Sequence, residues 1–250
     1  MSADLREIVD FNPRNRERWV RSVAARLAPG TKVLDVGAGE CRYRPLFAHC
    51  DYQTHDSCRY EGTRDGVLRQ EWNYGGIDYV SDITAIPVAD ESFDAVLCTE
   101  VLEHVPEPVP ALRELGRILK IGGRLFLSAP LGAGLHQQPH HYYGGYTPHF
   151  YRRFLPACGF EVLHVAPNGG FYRHLAQELN RAAGLIQKQR RYSRLHPLHW
   201  LLRLGLRQCL PRWLAQLDDE RLIEEFTVGY HVEARKVRGA NGQPPAVGPP

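Results

Sequence analysis

The stretch Val33-Leu34-Asp35-Val36-Gly37-Ala38-Gly39-Glu40-Cys41 decides the fold. An apolar run carries an acid near its end, and two glycines then flank one small residue. This reads as a buried strand, a tight turn and a helix starting at Cys41 and running to Phe47. Glycine lets the backbone turn sharply and approach a ligand closely. A helix N-terminus offers free N–H groups to a polar ligand. The stretch is therefore a cradle for a nucleotide-type ligand. A dinucleotide fingerprint needs a third glycine three residues after the second, and that position is Arg42. A P-loop needs Gly-Lys-Ser/Thr, which is absent. What remains for such a loop is an uncharged ribose with a zwitterionic tail.

Outward from the turn, Tyr52-Gln53-Thr54-His55-Asp56 reads as a second strand ending in an acid, at the spacing expected for ribose recognition. Two ribose hydroxyls are two donors, which a carboxylate accepts well. Then come Tyr79-Val80-Ser81-Asp82-Ile83, Ile86-Pro87-Val88, Ser92-Phe93-Asp94-Ala95-Val96-Leu97-Cys98, Glu100-Val101-Leu102-Glu103-His104-Val105, a helix Val109–Leu119, and Gly122-Gly123-Arg124-Leu125-Phe126-Leu127-Ser128-Ala129-Pro130. Strands alternating with helices build a doubly wound parallel sheet.

The glycine turn resembles motif I of the class I S-adenosylmethionine (SAM) methyltransferases, and the run from about residue 30 to 170 resembles their type 11 branch. The resemblance implies an α/β fold: a doubly wound, mostly parallel, Rossmann-like seven-stranded sheet with an antiparallel edge strand and helices on both faces. It implies SAM as cofactor, S-adenosylhomocysteine as product, and cofactor contacts from Asp35, Gly37, Ala38, Gly39, Asp56, Ser57, Asp82, Ile83, Thr99 and Glu100. Asp82 and Ile83 would meet the adenine, and the strand end at Cys98–Glu100 the methionine moiety.

Bulk properties narrow the class. A chain of 250 residues holds one α/β domain with additions. A net charge of +3 is too small to imply nucleic acid. The six cysteines form no C-x-x-C pair, which reads as reduced thiols in a cytoplasmic protein. The start Met1-Ser2-Ala3-Asp4 has no apolar leader, and no apolar run reaches the roughly 20 residues of a membrane span.

An N-terminal helical segment is expected over 1–30, with its helix at 14–28, followed by the main domain over 31–236 and a disordered Gly/Pro-rich tail over 237–250. Gly62, Gly66, Gly75 and Gly76 predict an irregular excursion at 57–78. Phe160–Val165 and Phe226–Arg235 are expected strands, which the resemblance pairs as an antiparallel edge. Between them lies a helical basic insertion, 173–222. From Arg173 to Leu217 it carries nine Lys or Arg and one acid, Glu178. Leu198, Leu201, Leu202, Cys209 and Leu210 fall near one helical face, His199, Arg203 and Arg207 on another, and Trp200 and Trp213 suit an interface. Pro197 and Pro211 limit that helix to about 13 residues. Two readings stay open: a lid or homodimer helix over the substrate pocket, and peripheral contact of 197–214 with an anionic membrane at the inner face.

Methyl transfer from a sulfonium is an in-line displacement. The cofactor carries the reactive group, and the protein aligns it and supplies a base where needed. Glu100, Glu103 and His104 stand at i, i+3 and i+4, on one face of a helical turn. Glu-x-x-Glu-His is similar to the magnesium site of ubiquinone-pathway O-methyltransferases, yet the string also occurs in type 11 relatives without metal. The acids are read as helix-start residues, with no metal expected. The second cluster is His136-Gln137-Gln138-Pro139-His140-His141-Tyr142-Tyr143, with Tyr146 and His149, after the fifth strand. Open α/β sheets bind ligands at that edge. His140 or His141 is the candidate base, unranked, with His104 a third candidate. The expected activity is O-methylation of a small polar, sugar/glycan-type or natural-product acceptor. The alternatives are N- or C-methylation of a biosynthetic intermediate, and a catalytically silent SAM-binding regulatory protein.

Overall fold

The computed structural model describes residues 5–62, 72–188, 200 and 204–238. The chain divides into two compact units: Met1–Arg18 with Pro167–Val228, and Trp19–Ala166 with Gly229–Pro250.

The larger unit is built on one sheet. Its strands are β1 (Lys32–Val36), β2 (Asp51–Asp56), β3 (Tyr79–Val80), β4 (Phe93–Thr99), β5 (Leu119–Pro130), β6 (Phe160–Pro167) and β7 (Gly229–Lys236), in the order β3-β2-β1-β4-β5-β7-β6. β1 pairs in parallel with β2 and β4, β4 in parallel with β5, and β5 antiparallel with β7. β1 and β4 are buried along their centres without alternation because both faces of a parallel sheet are covered. Val33, Leu34, Val36 and Ala95 to Cys98 are at most 1% exposed. One face packs beneath α3 (Pro108–Ile118) and α4 (Pro148–Ala157), where Ala111, Leu112, Leu115 and Ile118 share a stripe. Each fully buried leucine there contributes roughly 1.5–3 kcal/mol. Pro108 costs this helix nothing, because a first-turn N–H has no intrahelical acceptor. The other face takes Val20, Val23 and Ala24 from the second half of α2 (Phe11–Ala25), with Tyr43 and Phe47.

Chain order reverses at β1, which has β2 on one side and β4 on the other. The connections leaving β1 and β4 run apart and open a crevice at the strands' carboxyl ends. Val36 sits beside Cys98 in register, so the residues that follow them, Gly37 and Thr99, stand side by side at the mouth of that crevice.

In the smaller unit, α1 (Leu5–Val9), α5 (Phe171–Lys188) and α6 (Leu210–Glu220) bury Ile8, Val9, Ala176, Leu214 and Ala215. The Asp218 carboxylate accepts the N–H groups of Gly170, Tyr172 and Arg173 at 3.0, 3.0 and 3.4 Å, satisfying the open end of α5 from another helix.

Several expectations change. No α-helix follows the glycine turn: Cys41 takes φ +55°, and the chain makes only a 3₁₀ turn, Arg44–Phe47. A left-handed residue breaks the helical path, and Pro45 lacks the N–H that would continue it. Nor does Pro211 end a helix. A π turn, Gly205–Cys209, precedes it, and Leu210 N–H reaches Gly205 O. That wider turn leaves room for the proline ring in the first turn of α6. Leu210 packs on the small unit's core, while Cys209, Trp200, Leu204 and Trp213 are exposed. Leu198, His199, Leu201, Leu202 and Arg203 lie outside the described residues, as does the tail from 239. The last strand begins at Gly229, after a 3₁₀ turn at Glu224–Phe226. Residues 57–62 and 72–78 carry no helix or strand. All six cysteines are free thiols. Among the described residues, no helix is long and apolar enough to cross a membrane.

Candidate active site at the carboxyl ends of the strands

Gly37 and Gly39 take φ +72° and +53°. A Cβ on Gly37 would stand 2.3 Å from Val101 Cγ2, and one on Gly39 2.6 Å from Trp72 Cζ2. Glycine is required at both positions by conformation and by space. The turn's amides are spent inside the protein. Gly37 and Ala38 donate to His55 O at 2.8 and 3.0 Å, and Gly39 donates to Asp56 Oδ2 at 3.0 Å. These are the donors a pyrophosphate would need, so the loop offers a neutral surface rather than an anion nest.

Asp56 ends β2. Its Oδ1 accepts Cys58 N–H at 2.9 Å, so two of its roughly four acceptor positions remain. Ser57 beside it is exposed. Over the turn lies an aromatic group absent from the sequence expectation. Trp72 packs edge-on against Tyr60 and Tyr74, with centroids at 5.5 and 6.2 Å, and Gly75 N–H donates to Gly39 O at 3.0 Å. The only signal was the alternation Trp72-Asn73-Tyr74-Gly75-Gly76, which reads equally as a loop.

Asp35 is 2% exposed and accepts the Tyr52 hydroxyl. Burial, with the Asp56 charge adding to it and the Tyr52 hydrogen bond opposing it, pushes its carboxyl up to about 7 from 3.8. A raised carboxyl takes up a proton on folding. Its contribution to stability is therefore complete below pH 3.8 and lost as pH rises through about 7. Asp35→Asn is expected to remove this loss, gaining up to about 4 kcal/mol on the wild type at pH 8 relative to acid pH. Denaturant melts across that range check it; parallel curves for the two proteins would contradict it.

Asp82 closes a turn on itself. Its Oδ1 accepts the Thr84 N–H and hydroxyl at 3.0 and 2.8 Å, which holds the carboxyl low, and Arg59 lies 3.3 Å from Oδ2. The Ile83 side chain is in the core. Thr99 ends β4 and pairs with Ser128. Glu100 then takes φ +55°, uncommon for a residue with a side chain. Its N–H donates to Ser128 O at 2.8 Å, and its Oε1 accepts the Ser128 hydroxyl at 2.7 Å.

That backbone turn separates residues the sequence placed on one helical face. The helix is only a 3₁₀ turn, Leu102–His104, starting after Glu100. Glu103 is 1% exposed, and its Oε1 lies 3.8 Å from His104 Nε2. The loop after β5 folds back on this turn. Tyr142 and Tyr143 donate their N–H groups to Glu103 O at 2.9 and 3.2 Å, and the Tyr146 hydroxyl donates to Leu102 O at 2.7 Å. The closure gathers three imidazoles. Ring centroids lie 4.8 Å apart for His104 and His136, 5.6 Å for His104 and His141, and 4.3 Å for His136 and His141. Burial first, and the neighbouring imidazoles second, pull His104 down to about 4; burial and His136 lower His141 as well. Both rings are neutral near pH 7. His140 takes part through its main chain: its carbonyl accepts from His104 Nδ1 at 2.7 Å. Of the three histidines singled out from sequence, His104 and His141 come together, His140 supplies a carbonyl, and His136 is the added partner. His149 is exposed.

Residues 34–127 match the family described as "Methyltransferase domain". The chain is 29% identical over 204 residues to a sarcosine/dimethylglycine N-methyltransferase of Halorhodospira halochloris, covering 74% of this chain and 72% of that protein. It is 40% identical over 112 residues to a ubiquinone biosynthesis O-methyltransferase of Xanthomonas campestris, covering 42% of this chain and 46%, about half, of that one. A crystal structure of a SAM-dependent methyltransferase from Archaeoglobus fulgidus superposes with a TM-score of 0.53 at 14% identity, over 92% of this chain and 97% of that one, a likeness of fold.

Proposed function

We propose that this chain, a class I SAM-dependent methyltransferase, moves the methyl group of its cofactor to a hydroxyl of a small polar, sugar/glycan-type or natural-product acceptor. One observation carries the reading: a neutral glycine turn with a half-open carboxylate, and a cluster of imidazoles, stand at the carboxyl ends of adjoining strands. The residues suit the cofactor. Asp56 keeps acceptor positions for a ribose diol, and the spent amides of Gly37, Ala38 and Gly39 suit a ligand without phosphates. Thr99, which ends β4, and Glu100 after it are the residues assigned to the zwitterionic tail. Bound SAM supplies an electrophilic methyl group. The protein's share is to align it and to accept a proton from the acceptor as the new bond forms. A neutral imidazole is the group for that step, which points to His104 and His141.

Transfer to an amine is the second reading. It is favoured by the N-methyltransferase relative, whose alignment spans 74% of this chain. Labelled-methyl transfer into hydroxyl and amine acceptors fractionated from cell extract separates the two. Label recovered as a methyl ether supports the first reading. Label on nitrogen overturns it in favour of the second. Binding of SAM without transfer to either would favour a catalytically silent protein.

A further inference from the structure

The imidazole cluster has a property that proton transfer does not require. His104 Nδ1 lies 2.7 Å from His140 O, and His136 Nδ1 lies 2.9 Å from Gly134 O. A carbonyl oxygen can only accept, so both Nδ1 atoms carry hydrogen. Nε2 is then the ring nitrogen that each has left for a ligand, held in place by the main chain. Tying the far nitrogen of a histidine to a carbonyl is the arrangement that orients metal-ligating imidazoles. The Glu103 carboxylate completes the group: ligand atoms of Glu103, His104 and His136 all lie within 4.8 Å of one another. Neither ring nitrogen of His141 has a hydrogen-bond partner of good geometry, and its ring adjoins His136.

We propose that Glu103, His104 and His136, with His141 as a fourth nitrogen, form a site for a borderline divalent transition metal of the zinc class. Imidazoles with a single carboxylate suit zinc, cobalt or nickel, whereas magnesium and calcium take oxygen ligands. Glu100, the oxygen donor that would have made the set harder, accepts the Ser128 hydroxyl at the strand end and is not one of the grouped ligands. A bound ion would also offset the burial of the Glu103 charge. Tetrahedral ligation at about 2.0–2.1 Å places donors roughly 3.3 Å apart. The ion would therefore draw the group in, and His136, half-exposed on a loop, is the member able to move. The site belongs to the larger unit alone and stands independently of which acceptor is methylated.

The test is titration of tag-free, chelator-treated protein with Co²⁺, followed by its visible d–d absorption and then by displacement with Zn²⁺. One equivalent of Co²⁺ is expected to give the intense band of a low-coordinate nitrogen site. His136→Ala and His136→Gln are each expected to weaken binding about tenfold or more, while Glu100→Gln leaves it unchanged. No band, equal affinity in the His136 variants, or loss in Glu100→Gln instead would overturn the site. Far-ultraviolet circular dichroism on the same samples shows that each variant is folded, and calorimetry of the wild type with S-adenosylhomocysteine reports the cofactor site separately. Product binding without Co²⁺ binding would overturn the metal site alone. Co²⁺ binding without product binding would uphold the site and overturn the cofactor reading.

Discussion

Replacing His104 and His141 together with alanine is expected to lower methyl turnover by about 10²–10⁴-fold, with little change in affinity for S-adenosylhomocysteine. The two rings stand 5.6 Å apart, His104 on the 3₁₀ turn and His141 on the loop that Glu103 O and Leu102 O hold against it. Burial keeps both uncharged. On metal-free protein the rings act as proton acceptors, so their loss falls on the acceptor and leaves Asp56 and the turn in place. The measurement pairs initial rates at saturating SAM with product binding by calorimetry. Wild-type rates in the double variant would reduce the cluster to packing. A collapse of product affinity would place it on the cofactor side instead.

Asp56→Ala is expected to weaken S-adenosylhomocysteine binding by about 1.5–3 kcal/mol, roughly 10- to 150-fold, because the lost bonds are charge-assisted. The carboxylate has two duties: toward the ligand it offers acceptors to the ribose, and toward the protein it holds Gly39 N–H and Cys58 N–H. Asp56→Asn keeps one carbonyl oxygen and should fall between alanine and wild type. An unchanged dissociation constant in folded Asp56→Ala would mean that the ribose is held elsewhere.

How much of this was legible follows the range of the forces involved. β1, the glycine turn and the acid ending β2 could be read because burial pattern and positive φ act within a few residues. The strands through Pro130 were legible for the same reason. The helix after the turn was not, because Cys41 adopts φ +55° and the distant 72–76 segment packs against the turn. Glu100, Glu103 and His104 show the limit of spacing arguments. Positions i, i+3 and i+4 share a face only if the backbone between them is helical, and Glu100 is not. The pairing of His104 with His136, 32 positions apart in sequence, depends on main-chain hydrogen bonds that close a loop, and no local pattern encodes those. Pro211 looked like a helix stop because the π turn before it leaves no residue signature.

The central claim is that the turn Asp35 to Gly39 with Asp56 is a cradle for SAM rather than for a dinucleotide. Calorimetry of the wild-type chain against S-adenosylhomocysteine, SAM and NADH tests it directly. Binding of the first two at micromolar affinity, on the order of −8 kcal/mol, with no heat from NADH, is the predicted result. Heat from NADH and none from either SAM or its product would contradict it.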